Sequence, residues 1–546
     1  MKPWYKRRRY WAVALLVVLA YFCLIPMPLQ ISPATTGITE PRLPNGDVDY
    51  FGYYERLYIH KLSPPENNGQ RLLIAALGPR TLEQSYIADT VPWEEMPTHE
   101  RSKEWFETYW IPLCEHMYID PYDKPMFLDN LEFFGFLRKE WETSKTDGDS
   151  YYDDQPAHEL WKQLVAAPWT VEEHPNIARW LEERSPVLDL FGVAVRKPNF
   201  VCWRQRPEAW GVLGILLPDV QGNRTFAREL QIRITERLGK SDVDGAWHDV
   251  MSMLILSRHH YIHEPMSTVN LVGMAIEGMG MESAKAVLQY GNPTSEQLER
   301  FAQDLKTLPR KMTLDSTLVE KASYEELKGF AETLERGALK IDLESQKVLA
   351  FLVRLINPFR WIGYNIAGKR LTERFDAVKR TSGGSINRTV MKKYFDFENI
   401  PFEHWCYNCY ARSLLPQTLW DLLRVPLIRT RSQLVADRLF DGYDYGIRTQ
   451  NALDRNNTQF DLLLLAVALE RYKVAKGNYP ATLDELVPAF LEDVPIDLYT
   501  GRKTLTYKLA PDEETACLLY SFGENETDDG GNEKEDIVLR MRKPEI

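Results

Sequence analysis

Cysteine is scarce, with six in 546 residues, at positions 23, 114, 202, 406, 409 and 517. That number excludes a dense disulfide framework and leaves room for one or two pairs in an oxidising compartment. Basic clusters are missing after Arg9, and the net charge is −12. A nucleic-acid partner is therefore not expected. The chain has no glycine-rich nucleotide loop, no Gly-x-Ser-x-Gly elbow, no kinase signature and no His-Glu-x-x-His pair, so the chemistries those motifs carry are not indicated. A strict repeat period is also missing. Carboxylates are plentiful, but a single sequence does not mark any two of them as acid and base. What is present is a globular composition, 44% hydrophobic and 26% charged, long enough for two to four structural units.

The first 27 residues are informative. Lys2, Lys6, Arg7, Arg8 and Arg9 precede an uncharged 17-residue run from Trp11 to Met27. A helix of that length spans roughly 25 Å, near the lower limit for crossing a bilayer. Positive charge stays in the cytoplasm, so the chain after Pro28 is expected outside it, held to the inner membrane by a single pass. A cleaved signal peptide is the rival reading. No small-x-small cleavage site follows the run, which favours an uncleaved anchor.

Beyond a Pro- and Gly-punctuated linker, the body reads as helices and aromatic-rich loops. "PWTVEEHPNIARWLEERSPVLDLFGVAVRKPNF" predicts two helices, the first capped by Thr170 with Glu173 completing a box. Its apolar stripe is Ile177, Trp180 and Leu181. Residues 225–307 predict stacked hairpins: one helix ends at Gly239 as a C-cap, and another begins at a cap in "TSEQLERF". The C-terminal region changes character. "FDLLLLAVALERYKVAKG" carries a stripe of Phe460, Leu463, Leu464 and Val467, and a short helix opens at Thr482 with Glu485. Three short strands follow, in "TLTYKL", "ACLLYS" and "IVLRM". The expected fold class is mainly α: a helical-hairpin body, a small α+β C-terminal domain and an N-terminal transmembrane helix. The segments are 1–9 (cytoplasmic basic tail), 10–27 (anchor), 28–200 (helical and irregular), 201–455 (hairpins) and 456–546 (α+β).

The last segment carries a resemblance. "ALERYKVAKGNYPATLDELVP", "YTGRKTLTYKL", "LLYSFGENETDDGG" and "DIVL" together resemble the globular part of the major pseudopilin of type II secretion, over about 85 residues. The whole chain is also similar to membrane-anchored bacterial envelope proteins. The pseudopilin resemblance implies an aliphatic helix, a Tyr-Pro turn, a short sheet and an acidic loop that binds calcium. Matched motif to motif, Ser521, Asn525 and Asp536 take the family's ligand places, and Asp528 and Asp529 add oxygens within reach. Ca²⁺ wants six to eight oxygens, and the amide of Asn525 replaces a carboxylate that would bind more tightly. The departure is in the connection. The chain has no pseudopilin peptidase site before its apolar run, and more than 400 residues separate that run from the tail. Assembly into a pilus is not expected.

Two other patterns carry weaker chemistry. His259 and His263 are spaced i, i+4 in "SRHHYIHEP", which one helix face could offer to zinc, but Pro265 ends that helix and no third ligand is indicated. "HWCYNC" offers His404, Cys406 and Cys409 without the strand-to-helix setting of a thioredoxin pair. A polar hairpin corner, and a structural disulfide or two inert thiols, are the favoured readings. The functional expectation is non-enzymatic: an extracytoplasmic scaffold or interaction protein of the cell envelope, with protein partners. An accessory of a secretion apparatus and an exported hydrolase are the alternatives.

Overall fold

In the computed structural model, the described residues are 11–15, 40–44, 49–81, 95–126 except 101, 136–137, 140, 155–206, 215, 217–263, 266–308 and 445–542 except 502 and 513. They are mainly helical, with one small three-stranded sheet. The chain divides into two compact units. The first comprises Met1–Arg56, Arg206–Ile215 and Thr313–Thr449 and is described over a few short stretches, in which Arg206 pairs with Asp49 at 2.7 Å and lies over the Phe51 ring. The second comprises Leu57–Gln205, Leu216–Met312 and Gln450–Ile546 and holds the hydrophobic core.

Among the described residues the α-helices of six residues or more are α1 (Tyr50–Tyr58), α2 (Gly69–Leu77), α3 (Ile111–His116), α4 (Gln155–Ala166), α5 (Pro175–Val195), α6 (Pro218–Gly239), α7 (Val243–His263), α8 (Ser267–Tyr290), α9 (Ser295–Thr307) and α10 (Tyr445–Lys476). Helices α6, α7 and α8 pack on one another, and α5 joins α6 and α7 on another side. The central position of α6 is unusual for its composition. From Phe226 to Glu236 every residue except Arg228 is buried, although "FARELQIRITE" contains four charged side chains. An element covered all round needs partners for each polar group it carries.

Local signals set several boundaries. Thr294 and Gln297 form a reciprocal capping box that starts α9. Gly477, with φ 86°, closes α10 in a backbone region that a side chain would strain. Ile177, Trp180 and Leu181 are buried on α5, as are Phe460, Leu463 and Val467 on α10, with Leu464 half-buried. The hairpins of residues 225–307 are present as expected.

Two expectations near α5 need correction. Thr170 does not cap the helix. Its N–H donates to Glu173 within a turn, and α5 starts five residues later with Pro175 at its first position, where a missing N–H costs nothing. The segment is also one helix, not two, with Pro186 inside it. Val187, Leu188 and Phe191 beyond the proline are buried in the same core as Trp180 and Leu181 before it, so packing holds both halves in register against the lost hydrogen bond. Gly239 ends α6 as expected, for a different reason. A Cβ there would lie 1.9 Å from the Trp169 carbonyl oxygen, so the glycine permits a close backbone crossing.

The sheet has order β1–β2–β3 (Thr506–Leu509, Thr515–Ser521 and Ile537–Arg542), antiparallel throughout. Cys517, Leu519, Leu539 and Met541 face inward and belong to the same apolar cluster as Leu230 of α6 and Leu463 of α10. Leu518, Tyr520 and Phe522 form a separate small cluster on the other face. Every residue of β2 is buried, so both faces of this strand are covered.

Of the expected anchor, residues 11–15 are described and helical, and the rest lies outside the described residues. Among the described residues no helix is long and apolar enough to cross a membrane. His404, Cys406 and Cys409 also lie outside the described residues.

Candidate functional site

The acidic loop between β2 and β3 covers the outer face of the sheet. Gly523, Gly530 and Gly531 have φ of 66°, 77° and 89°, which lets the chain double back tightly. At the base of the loop, a Cβ on Gly523 would lie 2.3 Å from the Glu535 carbonyl oxygen. At its crest, one on Gly531 would lie 2.6 Å from Leu518 Cδ2. The loop thus supplies the lid under which Leu518 and Tyr520 become buried, and Lys508 lies 4.9 Å from the Tyr520 ring centroid while donating to the Gly530 carbonyl at 3.2 Å.

The five expected ligand residues are distributed along this loop rather than gathered at one point. Ser521 is fully buried, and its hydroxyl donates to Asp497 at 2.8 Å. Asn525 donates from its amide to Asp529 at 2.7 Å and accepts from the Thr527 N–H. Asp528 accepts from the Tyr520 hydroxyl at 2.9 Å and from the Gly530 N–H. Asp536 is buried. Its Oδ2 accepts from the N–H groups of Gly531 and Asn532, while its Oδ1 has no hydrogen-bond partner. Among the described residues no three His, Cys, Asp or Glu side chains stand together as a metal-binding group. The fit to calcium therefore rests on one ready buried oxygen, Asp536 Oδ1. Ser521 Oγ, Asn525 Oδ1, Asp528 Oδ1 and Asp529 Oδ2 hold other partners.

Sequence reasoning missed the residue that organises the base of the loop. Asp497, in the turn "DLYTGR", is buried, and its carboxylate accepts from the Ser521 hydroxyl and from the N–H groups of Phe522 and Tyr499. A buried carboxylate is tolerated when donors surround it. The Asp-Leu-Tyr-Thr-Gly pattern signals a turn, but nothing local signals that the same carboxylate would reach β2 twenty-four residues away.

The helical body concentrates a different set of ionisable groups. Arg184 of α5 meets Glu229 of α6 at 2.7 Å with both side chains buried. Arg233 of α6 bridges Asp249 of α7 at 2.6 Å and Asp189 of α5 at 2.7 Å, and Arg237 adds a contact to Asp249 at 2.9 Å. Arg258 of α7 forms an ion pair with Glu277 of α8 at 2.5 Å, and the other oxygen of Glu277 accepts from Tyr261 and from Asn456 of α10. Arg204 pairs with Asp219 in the same buried manner. Burial pushes the Glu229 carboxyl above its ordinary range, and Arg184 only partly offsets that. Burial acts the same way on Asp249, but hydrogen bonds from His248 and Arg233, with Arg237 close by, outweigh it and leave that carboxyl below its ordinary range.

Of the i, i+4 histidine pair on α7, the side chain of His263 lies outside the described residues. His259 is buried, with Nε2 2.7 Å from the Val195 carbonyl oxygen. His260 is buried as well, and neither of its ring nitrogens has a hydrogen-bond partner. Cys114, Cys202 and Cys517 are buried, and burial raises the thiols of Cys114 and Cys517, the latter to about 12, so both stay protonated and unreactive.

Compared with known proteins, the chain matches no family model, no curated protein and no solved structure.

Proposed function

We propose that the protein is a membrane-anchored, extracytoplasmic scaffold or interaction protein of the bacterial cell envelope. The observation that carries this reading is how the buried charges are used. In α5–α8 three buried arginines and three buried carboxylates bind one another across helices, Arg184 with Glu229, Arg233 with Asp249 and Arg258 with Glu277, which fixes the geometry of helix faces. An acid–base site would instead turn such groups toward a cleft that substrate can enter. The basic residues and apolar run at the N-terminus support the membrane attachment. The test is crosslinking of the full chain in native membranes, paired with a cytoplasm-only reporter fused after residue 60. Recovery of a defined partner that crosslinks through α5–α8, with a silent reporter, is the expected result. A bright reporter, or hydrolytic turnover with no crosslinked partner, would overturn it.

The C-terminal region supports a second, narrower reading. Helix α10, the Gly477–Pro480 turn, the 3-10 turn Leu483–Leu486, three antiparallel strands and an acidic loop follow one another in pseudopilin order. On that reading, residues 456–546 are pseudopilin-like, and a role as accessory to a secretion apparatus is the main alternative to the scaffold. The orphaned Asp536 Oδ1 is the specific observation favouring calcium. Ser521, Asn525, Asp528 and Asp529 would complete the site if the loop tightened around the ion. Its contribution would be to hold β3 against the sheet, with no part in catalysis. Melting the full chain in calcium and in chelator, with and without Asp536→Ala, checks this. Calcium should raise the midpoint of the unsubstituted chain alone; equal midpoints would remove calcium from the account.

A further inference from the structure

The outer face of the sheet holds an open cavity of about 680 Å³, within the size range of small-ligand pockets. The strand register explains its shape. Lys508, Leu518 and Arg540 stand directly opposite one another on β1, β2 and β3, so their side chains share one face. Buried Leu518 lies between the two cations, and all three line the cavity. The Gly530 crest of the acidic loop borders it, as do exposed Leu509 and, in the β1–β2 turn, Pro511. Neither cation is exhausted by its neighbours. Lys508 Nζ donates to the Gly530 carbonyl at 3.2 Å and lies 4.9 Å from the Tyr520 ring centroid, and an ammonium has further N–H groups to give. Arg540 directs Nη1 to Asp512 at 3.0 Å and to Thr515 at 3.1 Å, with Nε 3.8 Å from Glu533, and its Nη2 makes no hydrogen bond. The lining side chains therefore carry two positive charges against the one negative charge of Asp512. Cationic walls beside an apolar surface suit an anion that carries an apolar group.

We propose that this cavity binds the C-terminal end of a peptide whose last side chain is apolar. The α-carboxylate is met by Lys508 and by Arg540 Nη2 through charge-assisted hydrogen bonds. The apolar side chain lies against Leu518, Leu509 and Pro511. The Gly530 carbonyl keeps a second lone pair for a peptide N–H, a bond that a plain fatty acid leaves unmade, and this selects a peptide. The inference stands on the sheet alone. It is read by peptide affinity, whereas the scaffold reading is tested by crosslinks through α5–α8, so either can fail without the other.

The test is fluorescence anisotropy on the full chain in mild detergent. The probe is fluorescein-labelled Gly-Gly-Ser-Gly-Leu with a free C-terminal carboxylate. Its unlabelled form, the same peptide as a C-terminal amide, and hexanoate are the competitors. The probe should bind saturably. The amide should compete roughly tenfold more weakly than the acid, the loss expected for one charge-assisted hydrogen bond. Hexanoate should also compete more weakly. Lys508→Gln should weaken the probe by a similar factor while circular dichroism stays unchanged, and Lys508→Arg, which keeps the charge, should restore most of the affinity. A probe that shows no saturable change overturns the site. Equal competition by acid and amide, or equal affinity in Lys508→Gln and the unsubstituted chain, overturns it too. Hexanoate that competes as well as the peptide acid overturns the assignment to a peptide end.

Discussion

The helical body and the C-terminal sheet both bury carboxylates, and they stabilise them differently. In the body three buried carboxylates meet an arginine from another helix: Glu229 with Arg184, Asp249 with Arg233, Glu277 with Arg258. In the sheet Asp497 and Asp536 are held mainly by backbone N–H groups and a hydroxyl. Removing one member of a charge pair leaves the other ion buried and uncompensated, whereas removing a carboxylate from a ring of neutral donors leaves only dipoles unsatisfied. The body is therefore expected to be the more brittle of the two regions toward single substitutions, although one apolar cluster runs through both.

The sharpest way to break that comparison is at α5–α6. Glu229→Ala should cost about 3–5 kcal/mol by stranding Arg184, read as a lower denaturant midpoint at unchanged slope. The double change Arg184→Met with Glu229→Leu should recover most of the loss, because two apolar groups of similar volume need no counter-charge. If the double change is as damaging as the single one, the pair does more than neutralise itself.

Next in size is a pH effect in the body. Burial holds His260 down to about 4, so the folded state keeps it neutral, while the unfolded chain protonates near the ordinary value of about 6.5. Between these values the unfolded state binds more protons, so stability rises with pH. Above about 6.5 the full stability is present; acidification toward 4 should remove about 3 kcal/mol. His260→Leu should flatten that part of the stability–pH curve relative to the unsubstituted chain. Parallel curves would show that His260 is not the group responsible.

Smaller losses are expected in the sheet. Asp497→Ala removes the acceptor of Ser521, Phe522 and Tyr499 and should cost about 2–3 kcal/mol. A cost above that of Glu229→Ala would reverse the ranking of the two regions. Smallest is Gly531→Ala, which places a methyl 2.6 Å from Leu518 Cδ2 at a φ of 89°. About 1–2 kcal/mol is expected, with increased binding of a hydrophobic dye as the loop lifts from Leu518 and Tyr520. Unchanged dye binding would mean that the loop yields without uncovering the sheet.

Much of the chain's local organisation was legible without the fold. The cap at Thr294, the stop at Gly477, the apolar stripes of α5 and α10 and the three strands all follow from short-range patterns, because each is decided by neighbours within a turn or a hairpin. The candidate loop was also legible as an acidic, glycine-rich turn. Tertiary structure decided where the polar residues went. Arg184 and Glu229 are 45 residues apart, and Asp497 and Ser521 are 24 apart, so no periodicity links them. The polar sequence of α6 reads as a surface helix until its partners are in place. Pro186 reads as a break until a shared core overrides it, and the acidic loop reads as solvated until it closes over β2. Short-range rules fix which segments become helix or strand; which charges meet, and which are left seeking a partner, is fixed only when distant segments pack.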